Sequence, residues 1–153
     1  MVSRFPADLS RYRHNLIDQG YLAVETGRGS MEIRLRRTDD RWTLTIKKGT
    51  ASIRLENEMQ LRAPIATKLW PFTKGVRVSK MRYRIPYRRR LTIELDIYRG
   101  AHRGLAVAEV EFASVSMMKR FTPPDWFGRE VTGKKKYFNS SLASRGNMRQ
   151  LQP

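Results

Sequence analysis

Charged residues recur two positions apart through six short segments of this chain: Arg34/Arg36, Lys47 alone, Arg54/Glu56/Glu58, Lys80/Arg82, Glu94/Asp96 and Glu109/Glu111. Side chains at i and i+2 of a β-strand leave the same face, and immediate neighbours leave opposite faces. The residues around these charges are largely apolar: Ile33 and Leu35; Leu44 and Ile46; Ile53, Leu55 and Met59; Ile93, Leu95 and Ile97; Val110 and Phe112. The spacing therefore predicts a sheet with one apolar and one charged face. Six bases (Arg34, Arg36, Lys47, Arg54, Lys80, Arg82) and six acids (Glu56, Glu58, Glu94, Asp96, Glu109, Glu111) share the charged face, with the two signs mostly on different strands. Like charges side by side destabilise a sheet. A ligand that neutralises the repulsion is expected, a polyanion for the bases and a divalent cation for the acids.

Two geometries satisfy the pattern. The charges can face water on an open antiparallel sheet, or the sheet can curl into a barrel whose lumen they line. In a lumen, guanidinium groups match phosphate oxygens bidentately and lysine acts as a point charge. Carboxylates on other strands would then hold metal ions that bridge to the phosphates and position a water.

Composition narrows the chemistry. The 153 residues suit one domain, residues 1–145, with 146–153 as a C-terminal tail, and 40% hydrophobic content is that of a folded chain. There is no cysteine, which excludes disulfides and thiolate metal sites. His14 and His102 lie outside the charged segments and read as ordinary loop or surface residues, so a metal must sit on carboxylate oxygen, favouring Mg2+ or Mn2+. No apolar run approaches a membrane span and the N-terminus has no secretory h-region, giving the expectation of a cytoplasmic protein. The net charge of +17 points to anionic partners. The balanced face adds nothing to that sum, so the excess lies elsewhere, notably in Arg88–Arg90 and Lys134–Lys136, which read as solvated loops.

Along the chain, Pro6 to Arg13 reads as a short helix or turn capped by Asp8 or Ser10. Strands are expected at Leu16–Val24, interrupted by Gly20, then Met31–Arg37, Arg41–Lys48 and Ser52–Leu61, with a loop at Thr26–Ser30 and a hairpin link at Thr38-Asp39-Asp40. A helix at Ala63–Trp70 should stop at Pro71. Further strands at Val76–Ile85, Leu91–Tyr98 and Leu105–Ala113 are separated by a basic loop holding Pro86 and a turn at Gly100–Gly104. Helices are expected at Val115–Phe121 and Asn139–Ser144, the latter stopping at Gly146. This order describes a mostly antiparallel α+β fold. Trp70, Tyr83, Tyr98 and Trp126 read as packing residues.

Eight segments in order, IRLR (Ile33–Arg36), LTIK (Leu44–Lys47), RLENE (Arg54–Glu58), KMRY (Lys80–Tyr83), IELD (Ile93–Asp96), AEVEF (Ala108–Phe112), PDWFGREVT (Pro124–Thr132) and YFNSSLA (Tyr137–Ala143), resemble the CYTH superfamily of triphosphate tunnel metalloenzymes. The resemblance runs from Gln19 to Ala143. It implies an eight-stranded antiparallel β-barrel with flanking helices, a triphosphate-containing small molecule as substrate, Mg2+ or Mn2+ as cofactor, and a homodimer. Carried over, Arg34, Arg36, Lys47, Arg54, Lys80 and Arg82 would grip phosphate. Glu56, Glu58, Asp96, Glu109 and Glu111 would bind metal or orient water, with Glu94 assisting and with Lys80, Glu58 and Glu109 catalytic. Members of the family open with an ExExK motif, and this chain begins Met1-Val2-Ser3, so the first strand is expected to be missing or altered.

The resemblance makes hydrolysis of inorganic triphosphate or a nucleoside triphosphate the first expectation. Alternatives are a module that binds polyphosphate or nucleotide without turnover, and adenylate cyclase-like chemistry. Nucleic-acid binding ranks last, because the chain has no stacking-aromatic pattern and no groove-reading helix.

Overall fold

The two-residue periodicity becomes a single antiparallel sheet of seven strands in the computed structural model, which describes residues 1–26, 30–49, 54–88 and 91–150, with the side chains of Arg54 and residues 146–150 left aside. The strands are β1 (Arg13–Glu25), β2 (Ser30–Thr38), β3 (Arg41–Gly49), β4 (Arg54–Leu61), β5 (Arg77–Tyr87), β6 (Leu91–Tyr98) and β7 (Ala106–Val110). They lie in the order β4-β3-β2-β1-β5-β6-β7, so two hairpin-linked sets meet at the β1–β5 seam. The helices are α1 (Ala63–Leu69), α2 (Val115–Lys119) and α3 (Asn139–Gln150). Residues 27–29 of the expected loop, Ser52 and Ile53, Arg89 and Arg90, and the last three residues of the tail lie outside the described residues.

The α+β class stands, but the eight-stranded closed barrel does not. Among the described residues seven strands form, and the edge strands β4 and β7 do not pair with each other. Closure needs two edges of matching length, and β7 has only five residues, shorter than the expected Leu105–Ala113. The chain leaves the sheet towards α2, where the Ser114 hydroxyl accepts from the Met117 amide at 3.2 Å. Near the start of β7, the Ala106 carbonyl accepts from the Val2 amide at 3.2 Å, and Val2 forms an isolated antiparallel bridge with Phe127.

Three apolar clusters hold the sheet. On the apolar face, α1 and the 3-10 turn Trp70–Thr73 cover β2 and β3 through Leu35, Trp42 and Ala66, with Trp42 and Trp70 edge to face. Farther along that face, Ile85, Ile93, Leu95 and Ala106 pack under Trp126, with Val2, Leu9 and Tyr12 beside them. The third cluster lies on the charged face: Tyr21, Val78, Tyr98 and Val107 meet Leu142 and Ala143 of α3. That helix therefore covers one end of the charged face.

Local departures from expectation have local causes. Gly20 does not interrupt β1; it lets the strand pass beneath the 3-10 turn, where an added Cβ would lie 2.5 Å from Thr73 Cβ and Oγ1. Pro86 lies inside β5, paired with Thr92 of β6, beyond Arg84 where pairing with β1 ends, so its missing N–H breaks no ladder bond on that side. The chain continues through Pro71 as 3-10 turn, because proline is tolerated in a first turn. The first element is a 3-10 turn at Leu9–Arg11 preceded by Asp8 at φ 53°, whose side chain does not cap it. Helix α2 ends at Lys119, and α3 passes Gly146 to reach Gln150.

Candidate active site

The strand register brings the charges together in two groups separated by β1. Tyr21 and Gln19 of β1 stand opposite Arg34 and Arg36 of β2. On the other side Ile17 is opposite Lys80, and Asn15 opposite Arg82, both of β5. Arg82 is opposite Asp96 and Arg84 opposite Glu94, while Glu94 is in turn opposite Glu109.

The β5–β6–β7 group is a tight ionic cluster. Asp96 is fully buried, and the Arg82 guanidinium grips it with Nε and Nη2, each at 2.6 Å. Lys80, also fully buried, donates to Asp96 Oδ2 at 2.5 Å. Arg82 extends to Glu94 and, at 3.2 Å, to Glu109. Burial would push the Asp96 carboxyl up, but its bonds to Arg82 and the nearby Lys80 charge outweigh this and hold it below the usual carboxylate range. Lys80 moves down from the ordinary lysine value, chiefly through burial. Above it, the Asn139 carboxamide oxygen at the start of α3 accepts from the Tyr98 hydroxyl at 2.7 Å and lies 3.4 Å from Lys80 Nζ.

The β2–β3–β4 group is looser and leaves donors uncommitted. Arg34 Nη2 donates to Thr45 Oγ1 at 3.0 Å, which donates to Glu58 at 3.2 Å. The direct Arg34–Glu58 pair is longer, at 3.8 Å. Arg34 Nε is buried with no hydrogen-bond partner among the described residues. Arg36 donates to the neutral Gln19 Oε1 at 3.0 Å, and Gln19 donates to the Tyr21 hydroxyl at 2.5 Å. Burial, then the neighbouring Arg34 and Arg82 charges, hold Arg36 down to about 10. Lys47 pairs with Glu56 at 2.8 Å.

Of the residues expected at the site, Lys80, Arg82, Glu94, Asp96 and Glu109 are brought into one network, and Arg34, Arg36 and Glu58 into a second. Glu56 and Lys47 sit together towards the β4 edge. Glu111 falls just beyond β7 and is exposed, and the Arg54 side chain is not described. Glu56 and Glu58 lie on one edge strand and Glu109 on the other, so the proposed acids are divided between two ends of the sheet. Among the described residues no three His, Asp or Glu side chains converge into a ready-made metal cage. Neutral partners that a search for charges passes over, Gln19, Tyr21, Thr45 and Asn139, hold the bases in place. Three of them have a legible signal: Gln19 and Tyr21 share a two-residue spacing, and Thr45 sits two before Lys47.

A face with basic groups buried at its centre and carboxylates on both edges defines a protein that handles a multiply charged anion. Comparison with known proteins gives the family. The chain is 40% identical over 125 residues to an inorganic triphosphatase of Nitrosomonas europaea, an alignment covering 82% of each protein. It is 34% identical over 130 residues to an inorganic triphosphatase of Acetivibrio thermocellus, covering 83% of this chain and 79% of that one. The solved structure of the inorganic triphosphatase NE1496 superposes with a TM-score of 0.73 at 36% identity, covering 94% of this chain and 92% of that chain. No protein-family model matches. The chain belongs to the inorganic triphosphatase family. No helix among the described residues is long and apolar enough to cross a membrane.

Proposed function

We propose that this chain hydrolyses a triphosphate, with inorganic triphosphate the leading substrate, on the charged face between β4 and β7. The observation that carries the reading is the unmet demand for an anion: among the described residues, Arg34 Nε is a buried donor without an acceptor, and Arg36 is a half-buried cation beside other cations whose hydrogen-bond acceptor is a neutral amide. Buried charge in that state is costly unless a counter-charge arrives. A phosphate chain supplies both, since its oxygens accept guanidinium donors bidentately. The relatives named inorganic triphosphatase support the same substrate class.

On this reading Arg34, Arg36, Lys80 and Arg82 neutralise the oxygens of the chain and hold its terminal phosphorus for in-line attack by water. The water oxygen bonds to that phosphorus as the bridging P–O bond breaks, giving phosphate and diphosphate. Glu58 or Glu109, exposed carboxylates at the two edges, takes the proton. The donor set fits a hard divalent cation. Glu94 and Glu109 are like charges directly opposite one another, and Arg82 contacts both. Mg2+ commonly uses one or two carboxylates and completes its shell with phosphate and water. Glu94 and Glu109 would hold Mg2+ or Mn2+, which would supply charge stabilisation to the phosphate oxygens. A homodimer is proposed through the apolar face beyond α1, where Leu55 and Met59 are exposed.

Phosphate release from tripolyphosphate in Mg2+ or Mn2+ tests the reading, with Arg34→Met and Arg36→Met as variants. Both should lose most of the activity. Unchanged rates in both, or tight binding with no release in the parent protein, would overturn hydrolysis at this face.

A further inference from the structure

A cavity of about 510 Å³ lies at the end of the sheet beside the turn at Arg99–His102, where Val78 and Ala143 of the cluster under α3 reach its lining. Its floor is formed by Asp18 of β1 and Arg77 and Ser79 of β5, which alternate with Gln19, Val78 and Lys80 and so leave the opposite side of the sheet. Its walls are the turn from Trp70 to Gly75 and the turn at Arg99–His102. The size is that of a small-molecule site. Its lining is part apolar, and the four basic residues Lys74, Arg77, Arg99 and His102 converge on it.

Among the described residues, no carboxylate forms an ion pair with any of those four. The one lining carboxylate, Asp18, is engaged by Arg37 at 3.1 Å. At Arg82 and Lys47, by contrast, a carboxylate supplies the counter-charge. Arg77 is moreover a fixed cation. Its Nε donates to Thr73 Oγ1 at 2.8 Å, its Nη2 to the Trp70 carbonyl at 2.5 Å, and its guanidinium lies 4.3 Å from the Trp70 ring centre. His102 is fixed through Nε2, 2.8 Å from the Leu142 carbonyl. Two anchored groups and two free ones, Lys74 and Arg99, around one cleft suit an anion with several charges. Their convergence is difficult to account for by solvation alone, because like charges gathered in a concavity raise the local potential.

We propose that this cavity is a second, non-catalytic site for a phosphoryl oxyanion, an inorganic phosphate chain or the phosphates of a nucleotide. It is independent of the face assigned to hydrolysis, so each reading can fail alone. Isothermal titration calorimetry with tripolyphosphate, in chelator and at low salt, tests it. The parent protein should bind two equivalents. The double variant Lys74→Glu/Arg99→Glu should lose one equivalent or weaken it at least about tenfold, with its hydrolysis rate in Mg2+ unchanged. Arg36→Met should lose the other equivalent. One equivalent in the parent that the double variant leaves intact, or two that it leaves intact, would overturn the proposal. One equivalent abolished by the double variant alone would support the cavity and overturn binding at the charged face. ADP displacing tripolyphosphate from the cavity identifies a nucleotide as the source, and tripolyphosphate binding that ADP cannot displace identifies the inorganic chain.

Discussion

Arg82 holds Asp96 through two nitrogens at 2.6 Å each, and Asp96 is simultaneously the acceptor for the buried Lys80 ammonium. One carboxylate of β6 thus compensates two buried cations of the adjacent strand β5. Replacing it is a test of stability before it is a test of catalysis. Asp96→Asn keeps the shape and removes the charge, leaving Lys80 and Arg82 under-compensated. The expected loss is about 3–5 kcal/mol of unfolding free energy, the usual cost of breaking a buried pair. Urea denaturation measures it, and a loss under about 1 kcal/mol would show that the cluster is hydrated in solution.

The same carboxyl sets an acid limb. Its folded value lies below the unfolded one, so the stability it contributes is present above the ordinary carboxylate value, about 3.9, and is lost as pH falls through the folded value. Thermal melts of the parent protein should fall steeply below about pH 4, and Asp96→Asn should flatten that limb. An identical slope in parent and variant would assign acid unfolding to other groups.

Arg36 should behave in the opposite sense. Its guanidinium is held down to about 10 by burial and by Arg34 and Arg82, so it strains the empty protein and serves the occupied one. Arg36→Met is expected to leave the empty protein at least as stable, within about 1 kcal/mol, while weakening tripolyphosphate binding by about tenfold or more. Tripolyphosphate should in turn raise the melting temperature of the parent far more than that of the variant. Equal shifts would place the anion away from Arg36.

Glu109→Gln tests the carboxylate pair. Glu94 and Glu109 face each other across β6 and β7, and removing one charge should raise the Mg2+ or Mn2+ concentration needed for half-maximal phosphate release by about tenfold or more. A lowered rate with an unaltered metal requirement would instead leave Glu109 as the proton acceptor.

Gly20→Ala examines the seat of the 3-10 turn. A methyl there would meet Thr73 at 2.5 Å, and overpacking of this kind costs about 1–3 kcal/mol. Gly104→Ala controls for this, since nothing lies within 4 Å of its added Cβ and only its φ of 93° opposes it. A Gly20→Ala protein as stable as the parent would mean that the turn moves freely.

Much of this was legible from the two-residue spacing. Arg34/Arg36, Lys80/Arg82 and Glu94/Asp96 all stand on the face the alternation assigned to them, because register preserves parity across an antiparallel pair. Parity does not report where a sheet ends, so closure was not readable and the barrel expectation failed at β7. It also does not report what covers a face. The YFNSSLA segment was visible as a motif, yet its place over Tyr98 and Lys80 depends on tertiary packing of Leu142 and Ala143. The irregularity between Tyr21 and Ala23, where the β1–β2 register shifts, carries no turn or glycine signal. Nor does spacing distinguish a cation paired within the face, such as Arg82, from one left wanting, such as Arg36.

The pairing of Lys80 and Arg82 with Asp96 has a dynamic consequence. Before substrate arrives these bases already have an anion, supplied by the chain itself. Engaging a phosphate oxygen is then an exchange of partners in which an internal carboxylate is displaced, and release of product is the reverse exchange. The β5–β6–β7 half can pass between occupied and empty without exposing bare charge, whereas Arg34 has only the longer contact to Glu58 and Arg36 bonds to the neutral Gln19. Capture should therefore begin at the unsatisfied pair and spread across β1 to the satisfied one.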